Sequence, residues 1–301
     1  MSALHPRGRA GANLTSCLLV GGAVLFSHAT YARLWLTRPS LADYDAATAY
    51  VRARFEPGDH IEANPFWAER VRQYLGDLPL SALRHPHADD WRGHRRVWLF
   101  SVDGAEDGPK GRLLAGLGPR LLERQFGGIN VRLQQVAAPS SLLFDFRERL
   151  ESARVWIESE GRRHPCRDWR GGAWHCAASP RYLASREVLE IGGDPRAVIS
   201  SRPASRRTMA LEFEEVGLGA ALSVGAGFPA GAAREGEAPV ELTVEVDGRV
   251  VLRQAYLPGS GFSRRRVATP GPAGGRHRVT FRMATAHRRP RAFGVTAQAW
   301  D

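Results

Sequence analysis

Lysine is nearly missing from this chain: Lys110 is the single one among 42 basic residues, the rest being arginine. The arginines alternate with carboxylates instead of gathering on one stripe. The net charge of +11 is therefore not read as a nucleic-acid footprint, and no nucleic-acid partner is expected. Short runs such as Arg264–Arg265–Arg266 and Arg288–Arg289 read as solvated loops able to rest against anionic head groups. Cysteine is also scarce, with three residues and none of the paired CxxC spacings of structural zinc sites. The first predicted strand is followed by Asn64-Pro65-Phe66-Trp67, with no GxGxxG turn, and no Walker A sequence occurs. No GxSxG nucleophile elbow is present, and Gly259-Ser260-Gly261 only imitates one in a turn. These absences exclude the usual dinucleotide, P-loop and α/β-hydrolase chemistries. No cofactor is expected. No repeat runs at a fixed period.

What is present suits two ordinary domains, since 301 residues with 43% hydrophobic content can bury two cores. Arg7 and Arg9 precede a stretch from Ala10 to Ala32 that holds no Asp, Glu, Lys or Arg. As a helix it would cover roughly 34 Å, about one bilayer core. Its densest part, CLLVGGAVLF at 17–26, is short, like a signal-peptide core. Ser27-His28-Ala29 would serve as a cleavage site, whereas Arg33, Trp35 and Arg38 follow as interfacial anchors would. We expect residues 1–38 to form a cytoplasmic tip and a membrane anchor or signal segment, with 10–32 in the inner membrane. The bulk of the chain would then be periplasmic, or secreted if the signal is cleaved.

Residues 39–137 alternate helix and strand. LADYDAATAYVRARF (41–55) reads as a helix capped by Ser40. HIEA (60–63), RVWLFSV (96–102) and INVRLQQV (129–136) read as strands, and both FWAERVRQYLGD and GRLLAGLGPRLLERQF (111–126) as helices. The alternation predicts a small α/β domain with a mainly parallel sheet. From residue 138 to 301 short alternating runs take over. In VELTVEVDGRVVLRQAYL (240–257), Val240, Leu242, Val244 and Val246 point one way and Asp247-Gly248 marks a hairpin. RVWIES, TMALEFE, HRVTFRM and AFGVTAQAW carry the same alternation. The expected fold is α+β: the α/β domain, then an antiparallel β-sandwich of jelly-roll type.

The order of apolar anchor, DYDAATAYVRARFEPGDHIEANP, RQYL, RRVWLF and FGGINVRL, over residues 33–136, resembles the extracytoplasmic soluble region of multispanning bacterial glycosyltransferases. Those enzymes take sugars from polyprenyl-phosphate donors. This chain has one apolar segment instead of many spans and lacks the acidic loop between early spans. The resemblance therefore implies a related soluble module working beside a membrane-protein partner, and it carries over no catalytic residue.

Three stretches hold candidate chemistry. PCRDWRGGAWHC (165–176) contains Cys166 and Cys176 across a Gly-Gly turn, with Trp169 and Trp174 between them. A disulfide joining two hairpin arms is expected in an oxidising compartment, with zinc and free thiols as the alternatives. Trp156, Trp169, Trp174 and Trp300 are candidate sugar platforms, since flat rings meet sugar C–H groups and indole N–H can donate to hydroxyls; ordinary core packing is the alternative. HPHADDWRGH (85–94) offers His85, His87, Asp89 and His94 as metal ligands, against a plain solvated loop. We expect no functional metal there. The expected function is a non-catalytic extracytoplasmic module that recognises a glycan or glycolipid or assists a glycosyltransferase-like partner. A glycan-active enzyme with residues dispersed in sequence and a structural envelope protein are the alternatives.

Overall fold

The computed structural model describes residues 20–28, 30–31, 38–105, 108–176, 183–232, 234–270 and 275–301. Much of the stretch 10–32, expected to enter the membrane, lies outside them. Its residues 20–28 and 30–31 are helical and exposed, and among the described residues no helix is long and apolar enough to cross a membrane. The chain forms two compact units. One comprises residues 1–82 and 96–135, the other 83–95 and 136–301.

The first unit is a five-stranded mixed sheet with helices. Helix α1 (Leu41–Arg52) starts where Ser40 and Asp43 close a capping box: the Asp43 N–H donates to Ser40 Oγ at 3.1 Å, and the Ser40 N–H to Asp43 Oδ2 at 2.8 Å. Strands β1 (Asp59–Asn64), β2 (Leu80–Ser81), β3 (Arg96–Val102), β4 (Arg120–Phe126) and β5 (Ile129–Gln135) lie in the order β2-β1-β3-β5-β4. β1 runs parallel to β2 and β3, while β5 is antiparallel to β3 and β4. Helices α2 (Arg70–Leu75) and α3 (Pro109–Ala115) are short. The expected helix over 111–126 is thus corrected. It stops before Pro119, and Arg120–Phe126 pairs with β5 as a strand because its tertiary partner outweighs its helical composition.

Along β1 the side chains alternate. Ile61 and Ala63 join Tyr44, Ala47, Val51, Val71, Trp98 and Phe100 in the apolar core, whereas Glu62 meets the lone lysine. Lys110 Nζ donates to Glu62 Oε1 at 2.6 Å and to the Ala63 carbonyl at 2.7 Å, which satisfies a buried ammonium. Asp59, also buried, accepts from Arg96 and from the Trp98 indole N–H at 2.9 Å. Burial pushes the Asp59 carboxyl up, but the Arg96 guanidinium and the other donors outweigh it and hold it below the ordinary value.

The second unit is a nearly closed antiparallel β-sandwich. Its strands are β6 (Leu142–Asp145), β7 (Arg154–Ser159), β8 (Arg162–Arg170), β9 (Ala173–Cys176), β10 (Leu183–Ile191), β11 (Asp194–Ser201) and β12 (Thr208–Gly217). They continue with β13 (Ala221–Gly227), β14 (Val240–Val246), β15 (Arg249–Tyr256), β16 (Ser263–Ala268), β17 (Arg276–Thr285) and β18 (Phe293–Trp300). The order is β15-β14-β17-β12-β7-β8-β9-β10-β11-β18-β13-β16, with β6 on β18. The β14–β15 hairpin turns at Asp247 and Gly248, both left-handed at φ 50° and 80°, as a type I′ turn requires. Val240, Leu242, Val244 and Val246 are fully buried. Phe146 packs edge-on against Phe213 and Phe281, both at 5.0 Å between ring centres.

Candidate functional site

The hairpin β8–β9 brings Cys166 opposite Cys176, and the two form a disulfide with Cα atoms 4.0 Å apart. Gly171 and Gly172 carry the turn at φ 58° and 76°, a conformation costly for other residues. The register shifts between Cys166 and Asp168, leaving Arg167 as the extra residue of a bulge. Trp169 faces Trp174 across the hairpin, ring centres 5.5 Å apart and tilted by 53°. Both rings are half-buried against the sandwich core, and the Arg186 guanidinium lies 5.4 Å over Trp169. The Trp174 N–H donates to the Leu150 carbonyl at 2.8 Å, which fixes the ring.

A pocket of about 510 Å³ opens beside this hairpin. Trp156 and Trp174 line it with Pro165, Cys166, Arg154, Arg163, Arg167 and Glu212. Trp156 is only 6% exposed, and its N–H donates to Glu158 at 2.9 Å. Glu158 also accepts from Arg282 at 2.6 Å and pairs with Arg163 at 3.4 Å. The Arg163 and Arg282 guanidinium groups sit 4.9 and 5.9 Å from the Trp156 ring centre. Burial raises the Glu158 carboxyl, while the Trp156 N–H and the two arginines more than offset it and hold it below its ordinary value. Arg154 pairs with Glu214 at 2.9 Å and lies 3.8 Å from Glu212. Among the described lining residues Glu212 is the only carboxylate, with Glu158 and Glu214 bound to the lining Trp156, Arg163 and Arg154 from outside.

The four tryptophans therefore do not form one platform. Trp169 and Trp174 pair on the hairpin, Trp156 contributes a mostly covered edge, and Trp300 is 4% exposed beneath Gly93. Both indole N–H groups of the pocket are already engaged, which leaves ring faces and arginines for a ligand. Sequence reading missed Arg154, Arg163, Arg167 and Glu212. The signal was there in part: Arg154 with Trp156, and Arg163 with Pro165, repeat at the period of two that puts side chains on one face of a strand.

Residues 85–94 are built differently from a solvated loop. Asp89 is 4% exposed and accepts from Ser223 Oγ at 2.7 Å and Arg92 Nε at 2.7 Å. Asp90 holds Arg196 at 3.0 Å and Arg264 at 2.9 Å. Asp194 accepts the backbone N–H groups of Arg84 and His85, and Arg196 at 3.3 Å. The run Arg264–Arg266 is accordingly part of β16, with Arg264 buried on Asp90 and Arg266 3.7 Å from Asp89, rather than a solvated loop. His87 Nδ1 accepts the Asp89 N–H at 3.3 Å as a cap. His85, His87, Asp89 and His94 do not converge, and among the described residues no three His, Cys, Asp or Glu side chains are arranged to hold a metal ion. Burial pushes the Asp89 carboxyl up, but Ser223, His87, Arg264 and Arg92 together hold it below its ordinary value.

No protein-family model matches the chain, and no curated protein does. Several solved structures show partial likeness. The CBM51-2 and INT domains of ZmpB from Clostridium perfringens align at 11% identity and TM-score 0.28, over 38% of this chain and 25% of that one. The tandem CBM51 modules of a family 98 glycoside hydrolase from Streptococcus pneumoniae align at 9% identity and TM-score 0.32, over 58% and 56%. A carbohydrate-binding module of the beta-sandwich superfamily aligns at 11% identity and TM-score 0.34, over 58% and 69%. The chain thus spans a quarter of the first structure's length, and at these TM-scores the likenesses lend no weight to a function.

Proposed function

We propose that the second unit is a non-catalytic glycan-recognition module acting outside the cytoplasm. The observation that carries this reading is the pocket of about 510 Å³ in which Trp174 and Trp156 lie beside three arginines and one glutamate. An indole face takes the C–H face of a sugar ring, and guanidinium groups take pairs of hydroxyl or acidic oxygens. Arg154 and Arg163 are already paired with Glu214 and Glu158, so Arg167 is the lining cation that favours an acidic substituent on the glycan. The Cys166–Cys176 disulfide supports export, because such bonds persist in oxidising compartments. The uncharged stretch 10–32 supports attachment to the inner membrane, and the resemblance of residues 33–136 supports work beside a polyprenyl-phosphate-dependent glycosyltransferase-like partner.

The test is calorimetric titration of the full-length protein in detergent with neutral and acidic envelope polysaccharides. Micromolar to millimolar binding to an acidic glycan is expected, weakened at least about tenfold by Trp174→Ala and by Arg163→Ala together with Arg167→Ala. Flat titrations across both glycan classes would refute the reading.

A further inference from the structure

The carboxyl ends of β1 and β3 open on a second, smaller pocket, of about 190 Å³, in the first unit. Val102 and Asp103 contribute from the end of β3, Trp67 and Arg70 from the chain after β1, and Arg38 and Tyr44 from the start of α1. Its position follows from the topology. The chain leaves the carboxyl end of β1 for β2 on one side and the carboxyl end of β3 for β4 on the other, so the connections part at this point. In open sheets with parallel strands, such a switch point at the carboxyl ends is where ligands lodge.

The side chains there are poised for an anion. Arg52, Arg96 and Arg132 in the same unit are paired with Asp77, Asp59 and Glu123. Among the described residues, neither Arg38 nor Arg70 has a carboxylate within salt-bridge reach. Both nevertheless act on one point: burial raises the buried Tyr44 hydroxyl's pKa, and Arg70 and Arg38 pull against it while Asp103 adds to it. The Arg70 guanidinium lies 5.6 Å over the Tyr44 ring. Trp67 is left 56% exposed beside them.

Two guanidinium groups from separate segments suit a tetrahedral group with three free oxygens better than a planar carboxylate, whose two oxygens one fork occupies. Against them stands one carboxylate, Asp103, which leaves one net positive charge and turns away a second anionic group. We infer that this pocket binds a small phosphomonoester, its phosphate between Arg38 and Arg70 and its remainder against Trp67 and Tyr44. A soluble phosphate ester and a phospholipid head group share this chemistry.

The experiment uses the full-length protein, wild type, Arg38→Gln, Arg70→Gln and the double variant, with Trp174→Ala as a control for the other pocket. Both arginines are exposed, so unchanged melting temperatures are expected for all the arginine variants. Calorimetric titration with phenyl phosphate probes the soluble source. Flotation on phosphatidylcholine vesicles with and without phosphatidic acid probes the head group. Binding to phenyl phosphate that weakens about tenfold in each single variant and persists in Trp174→Ala supports a soluble ester. Capture by phosphatidic acid that falls in the double variant, without phenyl phosphate binding, supports a head group. If neither probe distinguishes wild type from the double variant, whether both bind or neither does, the inference is overturned.

Discussion

The tetrapeptide Asp-Trp-Arg-Gly occurs twice in the second unit, at 90–93 and at 168–171, with opposite fates. In the first copy Trp91 is fully buried and Asp90 is held by Arg196 and Arg264. In the second, Trp169 is half-buried on a hairpin, and among the described residues the exposed Arg170, at 3.1 Å, is the one ion-pair partner of Asp168. Local sequence is the same, so the difference lies in what distant strands bring. β11 and β16 supply Arg196 and Arg264 to Asp90 of the first copy, Asp194 of β11 braces Arg196, and Ser223 of β13 holds the neighbouring Asp89. The second copy meets its own hairpin arms and the Arg186 guanidinium. One segment becomes a buried ionic clamp and the other a surface hairpin beside a pocket.

The strongest way to break this contrast is to remove a carboxylate from each segment's surroundings. Asp194→Ala leaves the Arg84 and His85 N–H groups without their acceptor and Arg196 with Asp90 as its remaining carboxylate, and should destabilise the second unit by about 3 kcal/mol in urea unfolding. Asp168→Ala should stay within about 0.5 kcal/mol. Equal costs would show that the two copies are held alike. Next in size is reduction of Cys166–Cys176. Freeing a loop with a sequence separation of 10 should cost about 2–3 kcal/mol in the second unit and leave the transition of the first unchanged. A first-unit transition that moves on reduction would refute this.

Those expectations also mark what the sequence allowed to be read. Helix α1 with its Ser40 cap, the Asp247-Gly248 hairpin and the disulfide follow from local chemistry, and all three are present. The strand Arg120–Phe126 was hidden because Leu, Glu, Arg and Gln suit helices, and only β5 reveals its edge role. The clamp on Asp89 was hidden for a stronger reason: Ser223 lies 134 residues away, and no local period announces such a partner. In the pocket, Trp174 was legible, whereas Arg167 reaches it through a bulge that no spacing foretells.

Acid should sharpen the contrast with a smaller effect. The Asp89 carboxyl is held below its ordinary value, so the folded protein binds its proton less readily than the unfolded chain. Its stabilisation is then fully present above about pH 4, the unfolded value, and is lost as pH falls through the lower folded value. Wild type should lose second-unit stability over that range more steeply than Asp89→Asn, measured by urea midpoints between about pH 5 and pH 2.5. Parallel curves would remove Asp89 from the acid response.

The smallest expected effect concerns zinc, and it tests whether the first copy is a clamp or a ligand set. The Asp89 oxygens are taken by Ser223 and Arg92, and His87 Nδ1 accepts the Asp89 N–H. A zinc ion would have to displace all of these and sit near Arg264 and Arg266, whose charges oppose it. A site with a dissociation constant near 1 µM would add about 2.7 kcal/mol at 100 µM zinc. We expect no measurable shift in the second unit's melting temperature on adding 100 µM zinc, nor on adding a chelator. A rise of several degrees that His87→Ala abolishes would show that His87 trades its cap for a metal, and the distinction between the two copies would then have to be drawn on ligation instead of burial.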